Sequence, residues 1–197
     1  MALHPLTDLA DLMASRAART ASTKIVAIDG PSGSGKTTLA RRLRPVLSAP
    51  SLHMDAIYPG WDGLAEAPAL LAEQVLAPLA AGQPAAYRRW DWHADRWADS
   101  HPVAPTPVLI VEGVGSGAAL CAPYLSLLIW IEAGRDVRMR RGLERDGETF
   151  RPHWERWASQ EVEMFARDRT RERADVLVDG DPDVDIDLAT EWAAIAR

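Results

Sequence analysis

Lys24-Ile25-Val26-Ala27-Ile28-Asp29-Gly30-Pro31-Ser32-Gly33-Ser34-Gly35-Lys36-Thr37-Thr38 is the stretch that decides the fold. Ile25 to Ile28 is an unbroken apolar run, as a strand buried on both faces needs, and Thr38-Leu39-Ala40-Arg41-Arg42-Leu43 resumes with helical spacing. Between them, Gly30 through Gly35, Lys36 and Thr37 satisfy G-x-x-x-x-G-K-[ST], a P-loop in its required context of a strand before and a helix after. Glycines let successive N–H groups curl around a phosphate, and the helix beginning near Gly35 adds the positive end of its dipole. Gly30, Pro31, Ser32, Gly33, Ser34, Gly35, Lys36, Thr37 and Thr38 are therefore the expected nucleotide cradle. Lys36 is expected to reach the β- and γ-phosphates and the Thr37 hydroxyl to bind Mg²⁺, which makes ATP and Mg²⁺ the expected cofactors.

Working outward, Leu6, Leu9 and Met13 follow Pro5 at helical spacing, so the N-terminal stretch reads as an amphipathic helix outside the sheet. After the P-loop helix, which Pro45 and Ser48-Ala49-Pro50 are expected to close, Ser51 to Met54 is a short strand with Asp55 at its carboxyl end. Ligands of open α/β sheets bind outside that end of the strands, which puts Asp55 near the P-loop, either as a working carboxylate or as the start of a turn. A loop from Ala56 to Gly63 offers Tyr58, Trp61 and Asp62, and a helix follows from about Pro68 to Leu79. Tyr87-Arg88-Arg89-Trp90-Asp91-Trp92-His93-Ala94-Asp95-Arg96-Trp97 is dense in rings and charges. It suits a planar, hydroxylated ligand, and it equally suits a hairpin that uses tryptophan as core filler.

Pro107 to Val111 is the next buried strand, ended by Glu112-Gly113, a carboxylate placed for Mg²⁺ or for capping a turn. Leu125 to Ile131 is the fourth. Arg138, Arg141 and Arg145 then share one helical face, which either lines a phosphate tunnel or faces solvent. A helix from about Pro152 to Arg167, a fifth strand from Ala174 to Val178 and a last helix near Leu188 to Ile195 complete the reading. The aspartates at 179, 181, 183, 185 and 187 do not make an EF-hand, because the central glycine and closing glutamate are missing.

A chain of 197 residues with no dividing linker reads as one domain. A net charge of -6 argues against duplex nucleic acid as the main partner, and no apolar run approaches the ~18 residues of a membrane span. Cys121 is the single cysteine, which excludes an internal disulfide or multi-thiolate zinc site. Met1 to Ala21 lacks the apolar core of a signal peptide, so the expected location is the cytoplasm.

Taken together, the motifs resemble the uridine kinase family of P-loop small-molecule kinases. The likeness, from about residue 24 to 180, rests on the P-loop; on Asp55 with Tyr58 three residues on; on Trp90-Asp91-Trp92 shortly before Val111-Glu112-Gly113; on Asp136-Val137-Arg138-Met139-Arg140-Arg141 leading to Arg145-Asp146; and on Ala174-Asp175-Val176-Leu177-Val178. The resemblance implies a three-layer α/β/α fold with a five-stranded parallel sheet and a mobile helical lid. The organisation it implies is an N-terminal helix over residues 1–22, a kinase core over 24–180 with the lid near 138–170, and a C-terminal helix over 183–197. It implies that Asp55 is the general base, with Lys36, Arg138 and Arg141 also catalytic. Thr37, Glu112 and Asp55 become the Mg²⁺ shell, and Tyr58, Trp90, Asp91 and Arg145 the substrate contacts, with Asp62 standing in for a family aspartate. The family's Asn-Phe-Asp-His-Pro segment is absent between Asp55 and Trp90, Asp95 stands where a histidine is expected, and Gly147-Glu148-Thr149 replaces an arginine-glycine motif.

The expected function is transfer of the γ-phosphate of ATP to a hydroxyl of a small molecule, a nucleoside such as uridine or cytidine first. Another hydroxylated metabolite, or a P-loop ATPase acting on a protein partner, is the alternative. No nucleic acid or membrane partner is expected, and assembly with further copies of itself is left open.

Overall fold

The computed structural model describes residues 2–147 and 151–196. Its strands are β1 Ala2–Pro5, β2 Lys24–Asp29, β3 Ser51–His53, β4 Ala85–Asp91, β5 Arg96–Val103, β6 Val108–Glu112, β7 Leu125–Glu132, β8 Val176–Asp179 and β9 Glu191–Ala194. The central sheet has seven of them in the order β1-β9-β8-β7-β2-β6-β3, while β4 and β5 form a separate antiparallel hairpin. The five strands β3, β6, β2, β7 and β8 run parallel, as expected. The sheet is nevertheless not five-stranded, because β9 pairs antiparallel with β8 and β1 pairs antiparallel with β9.

That extension corrects the reading of both ends. The segment expected as a C-terminal helix carries β9 instead, whose backbone groups are taken up by neighbours on two sides. The expected helix over 1–22 is preceded by β1 and confined to α1 Leu6–Ser15, which buries Leu6, Leu9 and Met13. Trp192 of β9 is buried and donates its indole N–H to the Pro5 carbonyl at 3.2 Å, fastening the two ends together.

The remaining helices are α2 Lys36–Leu47, α3 Ala67–Leu71, α4 Ala77–Ala80, α5 Arg135–Asp146, α6 Trp154–Asp168 and α7 Thr170–Arg173, with a π-helical stretch Ala72–Leu76 joining α3 to α4. Pro45 does not end α2, which continues to Leu47 and stops at Ser48 in the left-handed region. Residues 148–150, inside the expected lid and its Gly147-Glu148-Thr149 departure, lie outside the described residues.

The three layers follow from the two-residue period of the strands. Along β2, Val26 and Ile28 face the core shared with Leu9, Met13, Leu39 and Leu43, while Ile25 and Ala27 face the one shared with Tyr58, Leu71, Val75, Trp157 and Met164. Full burial of each large apolar side chain contributes roughly 1.5–3 kcal/mol, so the run Ile25–Ile28 tolerates no charge. The parallel register brings the carboxyl ends of β3 and β6 together, with His53 opposite Glu112, and β2 beside them delivers the P-loop.

Candidate active site

The P-loop closes tightly because side chains are missing where other backbone passes. A Cβ on Gly30, at φ +143°, would lie 2.0 Å from the Ile131 carbonyl oxygen, and one on Gly33, at φ +79°, 2.3 Å from that of Arg138. Lys36 turns back over this loop, its Nζ donating to the carbonyls of Gly30 at 2.7 Å and Pro31 at 2.9 Å. Burial pulls the Lys36 ammonium below its usual range, against support from Glu161, Glu112, Asp29 and Asp55. Asp29, directly before the loop, is wholly buried and accepts the N–H groups of Gly30, Gly115 and Gly117 at 2.7, 3.0 and 2.8 Å.

In front of the loop opens a cleft of ≈ 700 Å³. Ser32, Gly33, Gly35, Lys36, Thr37 and Thr38 form one wall, whereas Gly30, Pro31 and Ser34 of the expected cradle do not line it. His53, Asp55 and Tyr58 come from the end of β3, Glu112 from the end of β6, Arg141 and Arg145 from α5, and Trp157 from α6. The structure thus gathers Asp55, Lys36, Thr37, Glu112, Tyr58, Arg141 and Arg145 around one space.

Glu112 is the buried hub of its side of the cleft. Its Oε1 accepts the Thr37 hydroxyl at 2.8 Å and lies 2.5 Å from His53 Nδ1. Burial pushes the Glu112 carboxyl up, but His53, Lys36 and the Thr37 hydroxyl outweigh it and the net displacement is downward. The same contact raises the His53 imidazole. Asp55 opens onto the cleft, yet protein crowds around it; that desolvation and the Glu112 charge raise its carboxyl, opposed by Arg145, Lys36 and His53. Among the described residues no group of three or more His, Cys, Asp or Glu side chains forms a metal cage.

Other expected residues lie elsewhere. Arg138 is not a cleft residue: it packs behind the loop, donating to the carbonyls of Ala133 at 3.1 Å and Ser32 at 3.2 Å. Arg141 borders the cleft but is engaged with the Gly180 carbonyl at 2.9 Å and Asp181 at 2.7 Å. Tyr58 lines the cleft with its hydroxyl already donated to the Val114 carbonyl at 2.9 Å. Asp62 is exposed and ion-paired with Arg156 at 3.1 Å, outside the cleft. Trp90 packs edge-on against Trp97 across the hairpin, and Asp91 caps its turn by accepting the N–H groups of His93 and Ala94 at 3.0 Å each. Neither lines the cleft, and both sit on the β4–β5 hairpin, where Trp90 is half-buried rather than part of the core.

The aromatic residues beside Asp55 are different ones. Trp61 stacks on His153 at 4.5 Å and meets Trp92 and Trp157 edge-on, while Trp92 donates its indole N–H to the Asp55 carbonyl at 2.8 Å. His53, Asp29, Trp157 and Glu161 were not anticipated. His53 had a signal, since it lies two residues before Asp55 at the same strand end; Glu161, 129 residues from its partner Ser32, had none. A second cavity of ≈ 250 Å³ shares Gly35, Thr38 and Arg141 with the cleft and is otherwise lined by residues such as Leu39, Val178, Ile186 and Trp192.

No protein-family model matches the chain. Over 128 residues it is 30% identical to a cytidylate kinase from Pyrobaculum calidifontis, a match covering 64% of this chain and 62% of that protein's length. In structure it is similar to a possible uridine kinase from Bacillus stearothermophilus, with TM-score 0.64 and 19% identity over 87% of this chain and 96% of that one. It is also similar to a candidate fructose transport system kinase from Silicibacter sp. TM1040, with TM-score 0.56 and 22% identity over 86% and 94% of the two chains. No helix among the described residues is long and apolar enough to cross a membrane. With the P-loop seated between β2 and α2 and these likenesses spanning most of its length, the chain has the fold of the P-loop small-molecule kinases.

Proposed function

We propose that the protein transfers the γ-phosphoryl group of ATP to a hydroxyl of a small, uncharged acceptor of nucleoside type. The observation that carries the reading is the convergence of Lys36, the Thr37–Glu112 pair and Asp55 on one cleft. The residues fit the groups the reaction needs. The glycine cradle admits phosphate to backbone N–H groups, and Mg²⁺ typically takes only one or two protein oxygens, keeping waters and phosphate oxygens for the rest. Thr37 and Glu112 would hold the ion, with Asp55 nearby, and bound Mg²⁺ would neutralise charge on the transferred phosphoryl group. The second cavity, largely apolar and adjoining the P-loop at Gly35 and Thr38, suits the adenine base.

Catalysis in this reading is positioning and charge stabilisation. Lys36 exchanges its loop carbonyls for phosphate oxygens. Arg145 supports charge from α5, and Arg141 holds the β8 side of the nucleotide site through Gly180 and Asp181. Asp55 orients the acceptor hydroxyl and receives its proton, a task helped by a carboxyl raised above its ordinary value.

An uncharged acceptor is favoured because the Asp55 side of the cleft presents Tyr58, Trp157, Val114 and Glu112, its His53 is already engaged with Glu112, and among the described residues its arginines come from α5. A monophosphate acceptor calls for a further cation there. The test is a panel of uridine, cytidine, cytidylate and fructose with Mg·ATP, products being followed by phosphorus NMR. Conversion of a nucleoside to its monophosphate is expected. Turnover of cytidylate without nucleosides would overturn the uncharged acceptor, and ATP hydrolysis without any phosphorylated product would overturn the transferase.

A further inference from the structure

Ser32, in the P-loop, is gripped at all three of its polar atoms by residues from α5 and α6. Its N–H donates to Glu161 Oε1 at 2.8 Å, its Oγ accepts from Trp157 Nε1 at 3.0 Å, and its carbonyl accepts from Arg138 Nη1 at 3.2 Å. The three partners are tied to each other. Trp157 Nε1 lies 2.9 Å from Glu161 Oε1 as well, and Arg138 Nη1 lies 3.8 Å from Glu161 Oε2. The Arg138 guanidinium is held in turn by the Ala133 carbonyl and sits 5.7 Å from the Trp154 ring centre.

Glu161 is the unusual member. Its side chain is 4% exposed, and a carboxylate so buried survives only if its charge and lone pairs are answered. What answers it is a backbone N–H of a loop built to bind anions, together with a guanidinium and an indole. It does so from the rear: Ser32 lines the cleft, and Glu161 does not. Glycine-rich backbone loses more conformational freedom on ordering than other sequence, so a loop ordered in advance binds its ligand at lower cost. Glu161 also leads the carboxylates that favour the Lys36 ammonium.

We propose that Glu161 is a positioning residue for the nucleotide, a buried hydrogen-bond acceptor that acts with Trp157 and Arg138 to fix Ser32 and set the shape of the P-loop before phosphate arrives. The proposal rests on the nucleotide-binding part of the function above and is independent of the acceptor. Glu161→Gln keeps an oxygen for the Ser32 and Trp157 N–H groups; Glu161→Ala removes it. Met164→Ala, a buried change on the same helix that leaves the three hydrogen-bond partners of Ser32 in place, serves as the control for lost stability.

The experiment combines amide hydrogen exchange of residues 30–35 without nucleotide, calorimetric ATP affinity, and KM for the acceptor. Glu161→Ala is expected to speed exchange in the P-loop and raise the ATP Kd about 10-fold, leaving the acceptor KM in place, while Glu161→Gln stays within about 3-fold of wild type. Met164→Ala is expected to lower Tm with ATP Kd unchanged. Should Glu161→Ala fail to fold, Trp157→Phe removes the shared indole N–H and is expected to speed P-loop exchange and weaken ATP in the same direction. Wild-type exchange and ATP Kd in the folded variant, or an equal ATP defect in Met164→Ala, would overturn the proposal. A wild-type protein that binds ATP, is weakened by Glu161→Ala and phosphorylates no acceptor would sustain the clamp and sink the transferase. A wild-type protein that binds no ATP would sink both.

Discussion

Thr37 and Glu112, 75 residues apart in sequence, meet side chain to side chain, the hydroxyl donating to Glu112 Oε1 at 2.8 Å. If this pair holds Mg²⁺, Glu112→Gln removes the charge with almost no change in volume. The concentration of Mg²⁺ giving half-maximal turnover is expected to rise about 10-fold or more, the scale of losing a group that binds or orients a metal ligand. A Mg²⁺ titration superimposable on wild type would remove Glu112 from the metal site.

Asp55 separates acceptor chemistry from nucleotide binding. Asp55→Asn preserves shape and is expected to lower kcat by about 10²-fold or more with ATP affinity largely kept. Because the lost interaction would belong to the transition state, kcat and kcat/KM for the acceptor should fall together. Steady-state kinetics and calorimetry on one preparation decide it; full acceptor phosphorylation by the variant would leave Asp55 without a catalytic role.

The arginines of α5 should part company. Arg145 is exposed at the cleft, so Arg145→Ala is expected to cost about 10²-fold in kcat, the scale of removing one charge-stabilising donor, with little change in Tm. Arg138 is half-buried behind the loop, and Arg138→Ala abandons the Ser32 carbonyl and Glu161. Its Tm is expected to fall by about 5 °C or more. Differential scanning calorimetry beside kcat measurements tests the pair, and the reverse pattern would show that Arg138 works on the substrate.

Asp29 makes stability depend on pH. Burial pushes its carboxyl from 3.8 up to about 6, against the pull of Gly117, Gly30, Lys36 and Gly115. The folded protein therefore holds this proton more tightly than the unfolded chain. That contribution is fully present below the unfolded value and is lost as pH rises through about 6, an effect of at most about 3 kcal/mol. Wild-type stability measured against Asp29→Asn is expected to decline between pH 4 and 7 in urea titrations. A constant difference across that range would mean that Asp29 stays in one protonation state.

What could be read from the sequence was what depends on continuous backbone. The strand, turn and helix around Gly30 to Thr38 carry their own geometry, and the apolar runs ending in Asp55 and Glu112 had only one edge of a parallel sheet to reach. Arg138, Arg141 and Arg145 do share one helix, but spacing does not say which turn of it meets the cleft: Arg138 and Arg145 are two turns, about 10 Å, apart along the axis, and Arg138 ends behind the loop while Arg145 lines the cleft. Trp90 and Asp91 met both of their readings locally; cross-strand packing with Trp97 and the turn at His93 and Ala94 hold the pair on the hairpin, off the cleft wall. Leu188, Trp192 and Ile195 recur at helical spacing, yet pairing with β8 and β1 outweighs that local preference. Glu161 depends on a contact with the distant P-loop and Asp62 on one with α6, and no local pattern encodes either.

The pairing of Ala2 with Ala194 also bears on the order of folding during synthesis. The P-loop, its helix and the parallel strands β2, β3 and β6 involve residues that leave the ribosome early, whereas β1 must wait for β9 before it has anything to bond to. Contacts of such long sequence separation form late, after the entropy of closing the intervening chain has been met. During translation, β1 therefore remains without its sheet partner, and the far side of β8 stays an open edge, until β9 emerges. Nascent chains halted before Glu191 should accordingly expose the β8 edge to chaperones, although the strands that flank the P-loop are already available to pair.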